Sequence, residues 1–150
     1  MEIVAATKED GKWIIHHRIE MFRSMGWSNN ELDATRAAME GFFEDRWDGN
    51  PACYLAMEGN EVVGGCAVAF YADLPSSKNK AGKSAYIMNM YIEPEFRGRG
   101  IGTSLLNRIL NECKTRGIGK VALHDTEMSR SIYEKHGFSK CKNCYELLLK

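Results

Sequence analysis

Six consecutive residues, Arg97-Gly98-Arg99-Gly100-Ile101-Gly102, alternate glycine with a larger residue at the junction of two strongly patterned segments. Before them Ser84 to Ile92 is apolar on both faces apart from Asn89, the pattern of a strand inside a sheet. After them Leu105, Leu106, Ile109, Leu110 and Cys113 form one stripe of a helix that ends at Arg116-Gly117, a basic last turn followed by glycine. A strand-to-helix junction exposes unpaired amides at the positive end of a helix dipole and is ready to hold an anion. Glycines remove the Cβ atoms that would keep a phosphate away from those amides, and the two arginines add charge. A plain glycine-rich turn with solvated arginines is the competing reading.

The rest of the chain sets that junction in a mixed α/β fold. Glu2 to Ala6 reads as a first strand, and Thr7 as the cap of a helix carrying Ile15, Ile19 and Phe22. Ser28-Asn29-Asn30-Glu31 has capping-box form and opens a second helix with Leu32, Met39, Phe43 and Trp47 on one side, ending near Asp48-Gly49-Asn50. Cys53 to Met57 and Val62 to Tyr71 are strand-like, joined by a tight turn at Gly59-Asn60. Ala72 to Ser84 is a long surface loop, of a length usually functional or mobile. Lys120 to His124 is a short strand and Ser129 to His136 two turns of helix. Phe138 to Cys141 and Tyr145 to Leu149 are expected to form a final strand pair. The prediction is a single domain over residues 1–150, with a mostly antiparallel central sheet, one parallel pair across the Tyr86 to His124 crossover, and flanking helices.

The anion can be narrowed by elimination. A Walker P-loop requires Gly-Lys-Ser/Thr five residues after its first glycine, and Thr103 stands there after Gly98. A dinucleotide fingerprint fits Gly98 and Gly100 but meets Thr103 at its third glycine. Arg97, Gly100 and Gly102 instead fit the signature [RQ]-x-x-G-x-[GA], preceded by Tyr91-Ile92-Glu93-Pro94-Glu95-Phe96 and followed by Ile132-Tyr133-Glu134-Lys135-His136-Gly137-Phe138. In these words, over about Tyr86 to Phe138, the chain resembles the GNAT superfamily of acyl-CoA-dependent N-acetyltransferases.

The resemblance implies acetyl-CoA as co-substrate, its pyrophosphate on the amides of Arg97, Gly98, Arg99, Gly100, Ile101, Gly102 and Thr103. It implies main-chain pairing of the pantothenate arm with Met90, Tyr91 and Ile92. The family's asparagine after the next strand corresponds to Thr126 and its small apolar residue to Ser129, so both join the cofactor set. Tyr133 matches the tyrosine that such enzymes commonly place near the thioester sulfur, and packing of its helix on the sheet is the other role open to it. The expected reaction is direct attack by a primary amine, in a small molecule or a peptide, within a ternary complex. A non-catalytic acyl-CoA sensor and an interaction module of the same fold are the alternatives.

Transfer to an amine needs a neutral nucleophile, a stabilised oxyanion and a stabilised thiolate. A phenol near pKa 10 facing a thiol near about 8.5 favours a strong hydrogen bond from Tyr133 over full proton donation. The oxyanion donor is expected among the backbone amides from Met90 to Ile92. The base is less defined: some family members carry a glutamate where Tyr86 stands, and Asn89 cannot serve. His124 suits proton uptake, though His124-Asp125 also reads as a plain strand end entering a turn. Glu40, Glu44, Asp45 and Asp73 can be drawn toward an acceptor or be solvated surface acids.

Composition trims other classes. Twenty basic against 20 acidic side chains leave no net field to attract nucleic acid. No apolar run reaches the roughly 20 residues of a membrane span, and Met1-Glu2-Ile3-Val4 lacks the form of a secretory signal, so a cytoplasmic protein is expected. Five cysteines, an odd number, suit reduced thiols. Cys141-Lys142-Asn143-Cys144 lacks a second pair and reads as a turn, and adjacent His16 and His17 point apart on a helix, so neither suggests a metal site. A homodimer is left open.

Overall fold

A computed structural model describes residues 1–125, 129–141 and 143–149. The elements run β1 (Glu2–Ala5), α1 (Gly11–Ser24), α2 (Asn29–Asp45), β2 (Ala52–Glu58), β3 (Glu61–Ala72), β4 (Lys83–Ile92), α3 (Ile101–Thr115), β5 (Lys120–Leu123) and α4 (Arg130–Lys135). The five strands lie in sequence order in one sheet. Neighbours are antiparallel through β4, and β4 and β5 are parallel, as the crossover requires.

Two apolar layers cover the sheet. On one face Ile14, Ile15 and Ile19 of α1 and Leu32 and Phe43 of α2 pack on Cys53, Leu55 and Ala67. On the other, Ile101, Leu105, Leu106 and Ile109 of α3 pack on Ala56, Val63, Val68, Ala85 and Ile87. The strands are therefore apolar on both faces, which is why the β4 segment shows no simple alternation.

Several local expectations hold, and some shift. The Ser28 hydroxyl accepts from the Glu31 amide at 3.2 Å, and the Glu31 carboxylate accepts from the Ser28 amide at 3.0 Å. The first helix begins later than Thr7: a single 3-10 turn, Lys8–Asp10, precedes it, with the Thr7 amide donating to Asp10 Oδ2 at 2.8 Å. Helix α2 stops at Asp45, and Trp47 beyond it is held by its indole N–H on the Pro51 carbonyl at 2.7 Å. The loop between β3 and β4 is densely bonded. Asn79 donates to the Ser84 hydroxyl at 3.1 Å, which donates to Asp73 at 3.2 Å, and Asp73 pairs with Lys120 at 3.1 Å.

The expected final strand pair is not formed. The described residues of 138–149 carry no ladder bonds, and Tyr145, Leu147, Leu148 and Leu149 are 80–99% exposed. Strand propensity alone does not make a strand: it must be paired to a neighbour, and the described residues leave the outer edge of β5 unpaired. Phe138 belongs instead to the end of α4, its amide donating to the Tyr133 carbonyl at 3.1 Å.

Candidate active site

The site is built where β4 outruns β5. The parallel register joins Ser84, Ala85, Tyr86 and Ile87 to Lys120, Val121, Ala122 and Leu123, and there it stops. Strand β4 continues for five more residues, Met88 to Ile92, paired among the described residues on its β3 side only. A wedge opens between the strands, and among the described residues the outer main-chain edge of Met90, Tyr91 and Ile92 pairs with no other strand, only the Arg97 side chain reaching the Ile92 carbonyl, so the edge can take an extended ligand as an added strand.

A bulge marks the middle of this free edge. Gly65 pairs with Tyr91 and Ala67 with Met88, so Cys66 alone faces both Asn89 and Met90. Asn89 has φ 60°, the left-handed region, and it is buried. Its side chain is held by α1: Nδ2 donates to the Ile14 carbonyl at 3.2 Å, and Oδ1 accepts from Arg18 at 3.3 Å. The polar residue that interrupts the apolar run is therefore the one that re-aims the backbone beside the wedge.

The glycine loop closes one end of the wedge. Pro94–Phe96 makes a 3-10 turn, and Gly100, at φ 80°, starts α3. The amides of Gly98, Arg99 and Gly100 bond no other backbone group of the described residues, and the first-turn amides of Ile101, Gly102 and Thr103 point out of the helix start. Beyond the Gly102 Cα, a side chain would meet only Ile132 Cδ1, at 3.4 Å. Arg97 and Arg99 are exposed and folded back: Arg97 donates to the Ile92 carbonyl at 2.9 Å and Arg99 to the Glu95 carbonyl at 3.2 Å. Free amides, a helix start and two cations fit a pyrophosphate, and the free strand edge beside them fits the amide-bearing arm of a pantetheine.

Tyr133 lies on the α3 face, 6% exposed, its ring 5.9 Å from that of Phe138. Burial raises the phenol pKa, partly offset by a hydrogen bond with the Ser129 side chain. It packs, and its raised pKa keeps the phenol protonated at neutral pH. Ser129 caps α4, where its carbonyl accepts from the Ile132 amide at 3.1 Å. Thr126 lies outside the described residues.

On the opposite face, the Tyr86 hydroxyl and His124 Nδ1 are hydrogen-bonded partners. Ala85 and Ile87 point into the α3 layer, so Tyr86 points to the α1 side. Tyr86 pairs in register with Ala122, and His124 is two residues further on, hence on the same face. In the sequence Tyr86 marks only the place of a missing carboxylate; the parallel register, once counted, is the signal that joins it to His124. The acids fare differently. Asp73 is committed to Ser84 and Lys120, which hold its carboxyl below the usual range. His16 pairs with Glu93 at 2.7 Å, and His17 is buried, so the two histidines do part. An open cavity of about 680 Å³ lies beside Trp13, His16, Glu61 and Glu93, and its lining includes neither Tyr133, Tyr86, His124 nor the glycine loop.

The sequence profile described as the Acetyltransferase (GNAT) family matches residues 17–138. The chain belongs to the GNAT acetyltransferase family. A GCN5-related N-acetyltransferase of Ralstonia eutropha JMP134 is 28% identical and superposes with a TM-score of 0.88 over 98% of this chain and 97% of that one. A predicted acetyltransferase of Clostridium acetobutylicum, solved with acetyl-CoA, is 31% identical with a TM-score of 0.84 over 98% and 95%. N-alpha-acetyltransferase 30 of Schizosaccharomyces pombe is 31% identical over 99 residues, 64% of this chain and 63% of that protein. An uncharacterised N-acetyltransferase of Methanocaldococcus jannaschii is 28% identical over 102 residues. The match spans 63% and 39% of the lengths of these two curated relatives.

Proposed function

We propose that this GNAT domain transfers the acetyl group of acetyl-CoA to a primary amine by direct attack in a ternary complex. The observation that carries the reading is the free edge of Met90, Tyr91 and Ile92 running straight into the unpaired amides of Gly98 to Thr103. It is supported by the relative solved with acetyl-CoA.

Acetyl-CoA supplies an activated thioester: a C–N bond forms to the amine, the C–S bond breaks, the amine loses one proton and the departing thiolate gains one. The chain's residues divide that work between the two faces of the sheet. On the α1 side His124, bonded to Tyr86, takes the amine proton directly or through water. On the α3 side Tyr133 donates to the sulfur as it becomes thiolate. The bulge at Asn89 and Met90 turns a backbone amide toward the developing oxyanion. Thr126 and Ser129 complete the cofactor contacts in this reading, and the acceptor reaches the wedge from the α1 side because the cofactor fills the α3 side.

The test is free-thiol release from acetyl-CoA across a panel of primary amines, in parallel with the change in melting temperature on adding coenzyme A. Turnover that falls at least tenfold in His124→Ala, with the coenzyme A shift retained, supports the assignment. A coenzyme A shift with no turnover on any amine would make the domain an acyl-CoA sensor.

A further inference from the structure

Arg18 is the side chain that the preceding chemistry leaves unused. It sits on α1 within reach of the bulge, donating one long hydrogen bond of 3.3 Å to Asn89 Oδ1. Its guanidinium lies 4.6 Å from the centre of the Phe22 ring, and Phe22 in turn stacks on Trp27 at 4.0 Å with planes 6° apart. The cation is thus clamped between a strand and an aromatic pile, in a fixed plane and part-buried.

A clamped, part-buried cation ordinarily has a carboxylate beside it, because removing it from water costs free energy that only a counter-charge offsets. Part-buried Arg130 has one in Asp125, and the exposed Arg23 and Arg116 pair with Glu20 and Glu112; part-buried Arg108 has none among the described residues, but it lies on Tyr54 away from the wedge and donates to the Ile3 carbonyl of β1. No carboxylate of the described residues pairs with Arg18, and burial pulls its pKa down with no opposing charge. The guanidinium has five donors in a planar fork, and the protein uses one of them.

We propose that Arg18 binds a carboxylate on the acceptor, so that the substrates of this domain are amines that also carry a carboxylate, amino acids foremost. This rests on the reading of the wedge as an acetyl-transfer site. The position suits that role, because Arg18 contacts the bulge from the α1 side, the side left open to an acceptor once the cofactor lies against α3. A planar fork takes a carboxylate in two parallel hydrogen bonds, which fixes the direction of the amine as well as its affinity. The carboxylate is not consumed; Arg18 is a specificity-determining residue, and the proton and acyl transfers stay as described above.

The experiment uses matched pairs that differ only in the carboxylate. Calorimetry on the coenzyme A-loaded protein compares N-acetylalanine with N-acetylalaninamide, and initial rates compare alanine with alaninamide; a short peptide with an aspartate side chain near its free amine separates free amino acids from acidic peptides. The acid is expected to bind on the order of tenfold more tightly than the amide. Arg18→Gln should collapse that ratio toward one, and Arg18→Lys, which keeps the charge without the fork, should leave an intermediate ratio. The coenzyme A-induced rise in melting temperature reports that each variant is folded, and the wild-type ratio decides the matter even if a variant is not. Equal affinities for acid and amide, no binding of either, or a ratio unchanged in Arg18→Gln would overturn the proposal. Selective binding without turnover would leave Arg18's role standing and remove the catalytic reading; turnover without selectivity would do the reverse.

Discussion

The imidazole of His17 stacks on the ring of Tyr91, centroids 5.3 Å apart and planes 27° apart, and is fully buried between α1 and the free-edge strand. Neither ring nitrogen has a hydrogen-bond partner among the described residues. The neighbouring strand β3 is open enough to admit it only because residue 65 is glycine: a Cβ there would come within 2.9 Å of His17 Nδ1 and 2.8 Å of the Tyr54 carbonyl. The neutral imidazole is therefore a packing element that holds the Tyr91 segment of the wedge.

That burial has a pH signature. Desolvation first, and the nearby His16 second, lower the His17 pKa from 6.5 to about 4. The unfolded state thus binds the proton first as pH falls. The stability contributed by the neutral imidazole is complete above pH 6.5 and is lost between pH 6.5 and about 4, to the extent of about 3 kcal/mol. His17→Phe keeps a flat ring on Tyr91 and removes the titration. Urea unfolding from pH 7 to pH 4.5 should show wild type losing stability more steeply than the variant, and parallel curves would show that His17 titrates normally.

Asn89 combines a left-handed backbone with two side-chain bonds to α1, and the two contributions separate by substitution. Asn89→Gly keeps the backbone at ease and loses the bonds, a cost of about 1 kcal/mol or somewhat more. Asn89→Ala adds the steric cost of the left-handed region, about 1–2 kcal/mol. Denaturant midpoints should therefore rank wild type above Asn89→Gly above Asn89→Ala. Equal midpoints for the two variants would mean that the bulge relaxes when the side chain is gone.

Gly102 offers a cleaner probe of the cofactor loop than Gly100. Gly100 has φ 80°, so a side chain there strains the fold, whereas Gly102 lies in the first turn of α3, where a Cβ would meet only the flexible end of Ile132 at 3.4 Å. Gly102→Val should fold with a melting temperature near wild type and, on the proposed placement of the pyrophosphate, lose most of its coenzyme A affinity, because the branched side chain would stand between it and the amides. Unchanged affinity by calorimetry would move the pyrophosphate elsewhere.

Tyr133→Phe should keep coenzyme A bound and slow the chemical step. The ring remains packed beside Phe138, and only the hydroxyl is lost. A donor that matters in the transition state and not in the bound thioester lowers turnover, by analogy with oxyanion-hole deletions by about 2.7–4 kcal/mol in the barrier. Single-turnover transfer to an accepted amine measures it; identical rates for variant and wild type would reduce Tyr133 to its packing role.

Much of this is written along the chain. The glycine loop, the strand before it and the helix after it are local features, fixed by side-chain period, helix caps and turn residues acting over a few positions, and so are legible as Ser84 to Gly117. The same holds for the capping box at Ser28 and the hairpin at Gly59-Asn60. The final strand pair is the exception, because Tyr145 to Leu149 has strand-forming residues, and whether they pair depends on an edge elsewhere.

Tertiary structure alone decided the rest, since it concerns residues far apart in sequence that only register and packing bring together. The parallel register sets His124 beside Tyr86, 38 positions away, and stops after Leu123 to open the wedge. The bulge opposite Cys66 gives Asn89 its left-handed turn, and the packing of α1 brings Ile14, His17 and Arg18 onto the strand 71 to 75 positions later. Local sequence specifies which groups a chain carries; the sheet's register and the layer above it specify which of them meet, because an interaction across dozens of residues has no local period to betray it.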